Sequence, residues 1–217
     1  PVIAIGELAP DTFEFAATEV YAGLSVPWAA HDVVHGHVAG RDGDTVYVRG
    51  ATIEFGDGRI VFDDAAAVHV GRRTAVRMQG FPDAAIDSDA ISVGQRVTVF
   101  GTVTGRRPLT VDATEGLVRM LVTTVRGTVA ARAPGLLEID LESIGGRSPQ
   151  LFDFTGTGTG APAADPARYT LAAGDLDLAS FDPETPVQAH GFVQAFGDAP
   201  PDFTALAIAD LVEVGSS

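Results

Sequence analysis

Apolar residues in this chain come in short runs with a period of two, and Gly or Pro interrupts them every ten residues or so. Such alternation places apolar side chains on one face of a strand and polar ones on the other, and the interruptions mark turns. One short pattern recurs: apolar, any, Gly, any, apolar. It reads Ala4-Gly6-Leu8, Val34-Gly36-Val38, Val99-Gly101-Val103, Val125-Gly127-Val129 and Ala189-Gly191-Val193. A glycine at the centre of a strand suits a sharp bend, as at the corner of a small barrel.

The spacing of these segments gives the organisation. Gly6, Gly101 and Gly191 are 95 and 90 positions apart, and Gly36 and Gly127 are 91 apart. Two interleaved series with one period are an internal repeat. Each repeat reads as a first strand (33–39, 124–131), a hairpin turn at Asp42-Gly43 or Pro134-Gly135, and a second strand (45–55, 136–144). A third strand (74–78, 168–171) and a short helix or loop (82–92, 175–184) follow. A glycine-centred fourth strand (96–103, 187–196) and a fifth (109–120, 203–214) complete the unit. Five strands with an insert between the third and fourth is the OB order.

The expected fold is therefore all-β: tandem small OB-like five-stranded barrels, preceded by a β-hairpin that resembles the last two strands of a further repeat. The units are 1–32 (partial repeat and linker), 33–121 and 122–217. An isolated hairpin is marginal in water. Three arrangements are open for residues 1–23: packing on the first full repeat, membership of an earlier repeat, or completion by another chain. Pro1 is no translation start, so the expectation includes an upstream segment such as a signal peptide, a lipoprotein leader or a larger N-terminal part.

Composition narrows the chemistry. The 217 residues include no cysteine, which excludes disulfides and thiolate sites, and no lysine, which excludes Schiff-base chemistry. All 14 basic residues are arginine, and the net charge is -15. Residues 1–32 hold five acids and no arginine, 33–121 ten arginines and eleven acids, and 122–217 four arginines and thirteen acids. That overall field repels phosphate backbones and anionic membranes, so nucleic acid is not the expected partner. No apolar run nears the ~20 residues of a membrane helix, so no membrane insertion is expected in this segment.

The strand Ser92-Val93-Gly94-Gln95-Arg96-Val97-Thr98-Val99-Phe100-Gly101-Thr102-Val103, followed by Val111-Asp112-Ala113, resembles a bacterial family of tandem OB-like β domains on secreted proteins and lipoproteins. Thr123-Thr124-Val125-Arg126-Gly127-Thr128-Val129 resembles that family's opening strand. The resemblance covers both full repeats and implies a barrel fold in a periplasmic, cell-surface or extracellular setting. It carries over no catalytic residue. The Gly/Thr/Ala/Pro loop of the second repeat departs from the pattern.

Four groups of residues are candidates for chemistry. His31, His35 and His37 with Asp32 could hold zinc or copper, because His35 and His37 are two apart on one strand face; solvated histidines are the plainer reading. Arg72-Arg73 and Arg106-Arg107 could clamp an anion bidentately, or be exposed turn residues. Phe192, Phe196 and Phe203 could form a patch for protein or glycan, or be buried between neighbouring repeats. Loop aspartates (Asp42, Asp44, Asp57, Asp63, Asp64, Asp83, Asp87, Asp89) supply calcium-type oxygens without the EF-hand spacing. Gly156, Gly158 and Gly160 lack the Gly-Lys-Ser/Thr ending of a phosphate loop. In the second strand of the second repeat, Glu138, Asp140 and Glu142 alternate with Leu137, Ile139 and Leu141, so the face that OB folds use for nucleic acid is acidic here.

No nucleophile elbow, zinc-protease helix or paired-carboxylate motif is present. The expected function is non-enzymatic, without a cofactor: a structural or adhesive β-repeat module of an envelope or extracellular protein, partnering protein or itself head to tail. The alternative is a ligand-binding module, with metal at the histidines or glycan at the aromatic hairpin.

Overall fold

The computed structural model describes residues 2–9, 12, 14–22, 31–158 and 163–211. The described residues are almost entirely β. Strands β1 (Val2–Ala9) and β2 (Glu14–Ala22) form an antiparallel hairpin. Strands β3 (Asp32–Asp42), β4 (Thr45–Glu54), β5 (Ile60–His69), β6 (Ala75–Met78), β7 (Arg96–Arg106) and β8 (Leu109–Leu121) build the first barrel. Strands β9 (Thr123–Ala133), β10 (Leu136–Ile144), β11 (Tyr169–Ala172), β12 (Pro186–Val193) and β13 (Phe203–Asp210) build the second.

Both barrels close in the same way. In the first, the strands run β5-β4-β3-β7-β8, and β5 closes on β8 in parallel. In the second they run β11-β10-β9-β12-β13, closed by the parallel β11–β13 pair. A parallel third-to-fifth closure in an otherwise antiparallel sheet is the OB arrangement, and the tandem is as the repeat predicts.

The expected third strand of the first repeat needs correction. Residues 74–78 do form a strand, β6, but the position equivalent to β11 belongs to β5, which pairs with both β4 and β8. Strand β6 lies further along β8, pairing Ala75–Met78 with Leu117–Met120. The turn between β5 and β6 is pinned to the middle of β8: the Thr74 hydroxyl donates to the Ala113 carbonyl at 2.8 Å and accepts from the Gly71 N–H at 2.8 Å. Strand β5 escapes a sequence reading because Asp63-Asp64 and the Ala65–Ala67 run break the alternation and are poor strand formers.

All five motif glycines sit where the ladder register shifts. At Gly101 a Cβ would overlap the Asp112 carbonyl, and at Gly191 that of Thr204, so only a bare α-carbon lets the partner strand cross this closely. In the N-terminal hairpin Gly6 meets the Ala16 carbonyl at the same kind of bulge, which makes β1–β2 a copy of the β12–β13 hairpin.

One apolar core runs through both barrels, from Val34, Val48, Ile53, Val99 and Val111 in the first to Leu137, Ile139, Leu171 and Phe203 in the second. It is continuous because the barrels are docked. At the joint, Gly94 (φ +97°) lies against Ile144 and Val193, and the Phe81 and Phe192 rings meet edge to face at 6.0 Å. Backbone bonds cross from the Asp153 N–H to the Ala39 carbonyl (2.6 Å) and from the Phe196 N–H to the Asp89 carbonyl (2.9 Å). Arg41 is nearly buried: its guanidinium donates to the Ser88 and Ile91 carbonyls at 2.8 Å each and stacks over the Phe196 ring at 4.9 Å. The Ser92–Gln95 turn, part of the family-like segment, thus serves the joint between repeats.

Candidate interaction surface

The predicted metal group does not assemble. Both Asp32 oxygens are used by backbone N–H groups, of Gly56 at 3.0 Å and Val103 at 2.7 Å. His35 is bonded to the Thr98 hydroxyl at 3.0 Å and lies 3.6 Å from Glu54. His37 turns to the joint, where its ring packs on Gly145, and the His31 Nδ1 is buried without a hydrogen-bond partner. Among the described residues no three His, Asp or Glu side chains are placed to hold a metal ion. Several of the aspartates are used locally instead: Asp57, Asp63 and Asp87 each accept from the N–H two residues on, and Asp89 pairs with Arg41 at 3.3 Å.

The aromatic patch is also corrected. Phe203 is fully buried in the second barrel, Phe192 is buried at the joint, and Phe196 lies half-buried under Arg41. Residues of opposite strand parity are covered here because a second barrel lies on them. The arginine pairs separate: Arg73 pairs with Glu115 at 2.6 Å, whereas Arg106 lies over the Phe55 ring at 5.5 Å, beside Arg59 at 4.2 Å. Arg106 lines a cleft of about 400 Å³ that neither Arg72 nor Arg73 reaches. Arg107 is exposed in the adjoining turn. Gly156 packs under Phe196 and Gly158 bridges to Ala199; Gly160 lies outside the described residues.

Strand register brings together a different set. On the outer face of the first barrel, His37 stands opposite Arg49 of β4 and Arg96 of β7. One step along, Thr98 stands opposite His35 and Arg119, and Arg119 stands opposite Arg77 of β6. From the second barrel, Arg147 reaches across so that its guanidinium lies against Gly50. Arg49, Arg77, Arg96 and Arg119 are exposed. Among the described residues none of these five arginines has a carboxylate within 4.0 Å; nor do Arg72, Arg106, Arg107 and Arg126, which lie apart from this group, whereas Arg41, Arg59, Arg73, Arg132 and Arg168 all do.

The electrostatic consequence is visible at His37. Burial, then the guanidinium charges of Arg147 and Arg96, lower its pKa from 6.5 to about 4, so the imidazole is neutral at pH 7. Aromatic and aliphatic groups flank the same face. Tyr47, two residues from Arg49, is 42% exposed and lines with it a groove of about 300 Å³ that continues onto Leu151 and Asp153 of the second barrel. On β5, Ile60 and Phe62 are 55% and 83% exposed.

The second barrel presents the opposite sign. On β10, the strand equivalent to β4, Glu138, Asp140 and Glu142 point outward. Glu138 is held by Arg168 at 3.4 Å and Glu142 accepts from the Thr128 hydroxyl at 3.1 Å, but Asp140 has neither kind of partner among the described residues. A cleft of about 250 Å³ beside them is lined by Glu138, Asp165, Arg168, Thr170 and Asp202. Asp202 is nearly buried; desolvation raises its pKa although it accepts from the Thr170 N–H and hydroxyl at 2.7 Å each.

Sequence reasoning found the acidic strand and missed the arginine face. The acids of β10 are neighbours on one strand and declare themselves by alternation. Four of the arginines are single residues on separate strands, joined only by the register, and Arg147 reaches them from beyond the end of β10. Comparison with protein-family models, with curated proteins and with solved structures gave no match to this chain.

Proposed function

We propose that this chain is a non-enzymatic binding module that uses the arginine face of its first barrel to hold a carboxylate-rich protein surface. The observation that carries the reading is the clustering of five arginines on one face, none with a carboxylate within 4.0 Å among the described residues, in a protein with a net charge of -15. Acids outnumber bases about two to one in the sequence, so arginines left without carboxylates and crowded together lose Coulomb energy in the free protein. An incoming carboxylate surface restores it. Arginine with exposed Tyr and Phe is also the composition of protein-binding hot spots. The docked barrels suit the role, since a stiff support loses little entropy on binding. The family resemblance of Ser92–Val103 and Thr123–Val129 supports an envelope or extracellular setting, which is part of the same proposal.

The test is binding of a labelled glutamate-rich peptide, with a single-stranded oligonucleotide of equal length as a second arm. The peptide is expected to bind, to be released by salt, and to lose at least tenfold in affinity with Arg49→Glu/Arg96→Glu, an estimate of about 1.4 kcal/mol or more. Tighter binding of the oligonucleotide would overturn the carboxylate reading in favour of a nucleic-acid face of the OB type.

A further inference from the structure

The preceding proposal leaves the partner open, and the chain itself carries a surface of the required chemistry. We infer that the arginine face of one copy binds the acidic β10 face of a second copy, so that the module assembles head to tail. This inference rests on the carboxylate-binding reading and goes one step past it.

The two faces occupy the same place in the two repeats. Strand β4 and strand β10 are the second strands of their barrels, and each pairs with the first and third strands. Outward positions of β4 hold Tyr47, Arg49 and, at its end, Glu54; those of β10 hold Glu138, Asp140 and Glu142. With Arg96 and Arg119 on the neighbouring strands, the face around β4 is basic where β10 is acidic. The whole units differ in the same sense, though not in sign: residues 33–121 are near neutral and residues 122–217 hold nine more acids than arginines.

Within one molecule the faces do not satisfy each other. No arginine of the face lies within 4.0 Å of a carboxylate among the described residues, and the joint at Gly94, Gln95, Ile144 and Val193 fixes the barrels relative to one another. Contact between the faces therefore needs two molecules. Because the surfaces differ, the contact is heterologous: each copy has one face to give and one to receive, and the arrangement propagates unless the rotation closes it into a ring. Exposed Tyr47 on one side and Leu136, on the acidic strand, on the other supply apolar area beside the charges. Short-range contact is needed to overcome the repulsion of two acidic molecules, so assembly grows with concentration.

Sedimentation velocity and light scattering on the whole chain test this over a range of concentrations, at about 20 mM and about 300 mM salt. Wild-type chain is expected to form species larger than dimers at high concentration and low salt, and to return to monomer at high salt. Arg49→Glu/Arg96→Glu and Asp140→Arg/Glu142→Arg are each expected to stay monomeric alone, with circular dichroism confirming that they fold. Mixed together, they have one wild-type interface and a second that pairs the introduced glutamates with the introduced arginines, so assembly should return. A wild-type chain that is monomeric throughout, yet still binds the glutamate-rich peptide, overturns the self-assembly inference and leaves the proposed function standing. Assembly that survives both double substitutions, or a mixture that does not assemble, equally overturns it. Loss of both assembly and peptide binding in the wild type removes the two readings together.

Discussion

The backbone N–H of Val193 donates to the side-chain Oε1 of Gln95 at 3.2 Å, across 98 positions of sequence and from one barrel to the other. The same side chain donates from Nε2 to the Leu121 carbonyl at 2.6 Å, the Arg96 carbonyl at 3.0 Å and the Thr123 hydroxyl at 3.1 Å. Gln95 is fully buried, so it satisfies the backbone of the connection between β8 and β9 and of β12 at a single point. Burying an amide this way is tolerable only because its groups are paired.

Replacing Gln95 with Leu removes this partner from the Val193 N–H and leaves the Leu121 carbonyl only the Thr123 hydroxyl at 3.3 Å. A buried group left unsatisfied costs about 1–3 kcal/mol, and a loss of that size is expected. The form of the transition is the sharper readout. Wild-type chain should unfold in urea as one unit, since the core is continuous, and Gln95→Leu should split the transition in two. Coincident transitions by fluorescence and circular dichroism in the variant would show that Gln95 does not couple the barrels.

The turn that carries Gln95 also exists in the second barrel, with a different residue at its critical position. The Gly94 N–H donates to the Val38 carbonyl at 2.7 Å, and the Glu184 N–H donates to the Val129 carbonyl at 2.8 Å. Both sit in the left-handed region, Gly94 at φ +97° and Glu184 at φ +69°. A non-glycine residue there loses about 1–2 kcal/mol, and glycine returns about 0.4–1 kcal/mol of that through unfolded-state entropy. Glu184→Gly is therefore expected to stabilise by roughly 0.5–1 kcal/mol, read as a higher melting temperature. Gly94→Ala is expected to destabilise by more, since its Cβ would also stand 3.1 Å from the Ile144 side chain. A Glu184→Gly protein that melts lower would show that the side chain, not the backbone, decides this position.

Much of this architecture is legible in the chain because its markers are local. A glycine flanked by apolar residues at a spacing of two announces a bulge, and the period of the glycines announces the repeat. Strand β5 is hidden because Asp63 and Asp64 are both exposed, which breaks the alternation, and Ala65–Ala67 carry no strand preference. The joint is hidden for another reason: nothing local distinguishes buried Gln95 from a surface glutamine. Candidate sites suffer most. His31, His35 and His37 attract attention by adjacency, yet each finds a different neighbour, whereas Arg49, Arg96 and Arg119 converge from 49 to 119 in the chain with no local sign that they will.

Asp202 gives a test of the second barrel. Its folded pKa is raised, mainly by desolvation. A carboxyl with a raised folded pKa contributes stability that is fully present below its unfolded value, near ~3.9, and is lost as pH rises through the folded value. Asp202→Asn cannot ionise and keeps an oxygen that accepts from the Thr170 N–H. Its melting temperature relative to wild type should therefore be higher at pH 7 than at pH 3. A difference that does not change with pH would show that the carboxylate is not strained by its burial.

His37 gives the complementary test, and it connects stability to the arginine face. With a pKa lowered to about 4 in the fold against 6.5 for an ordinary histidine, the folded state binds fewer protons than the unfolded chain between those values. Stability is thus unaffected by this group above pH 6.5 and falls as pH drops from there to about 4. His37→Gln removes the titration, so its urea midpoint relative to wild type should rise between pH 7 and pH 4.5. The carboxylates that titrate near the lower end are common to both proteins and cancel in the comparison. Because Arg147 and Arg96 contribute to the shift, Arg147→Gln should raise the His37 pKa, as followed by the imidazole NMR resonances. Docking of carboxylates on the same arginines should raise it as well. A glutamate-rich peptide that binds without moving the His37 titration would locate its site away from this face.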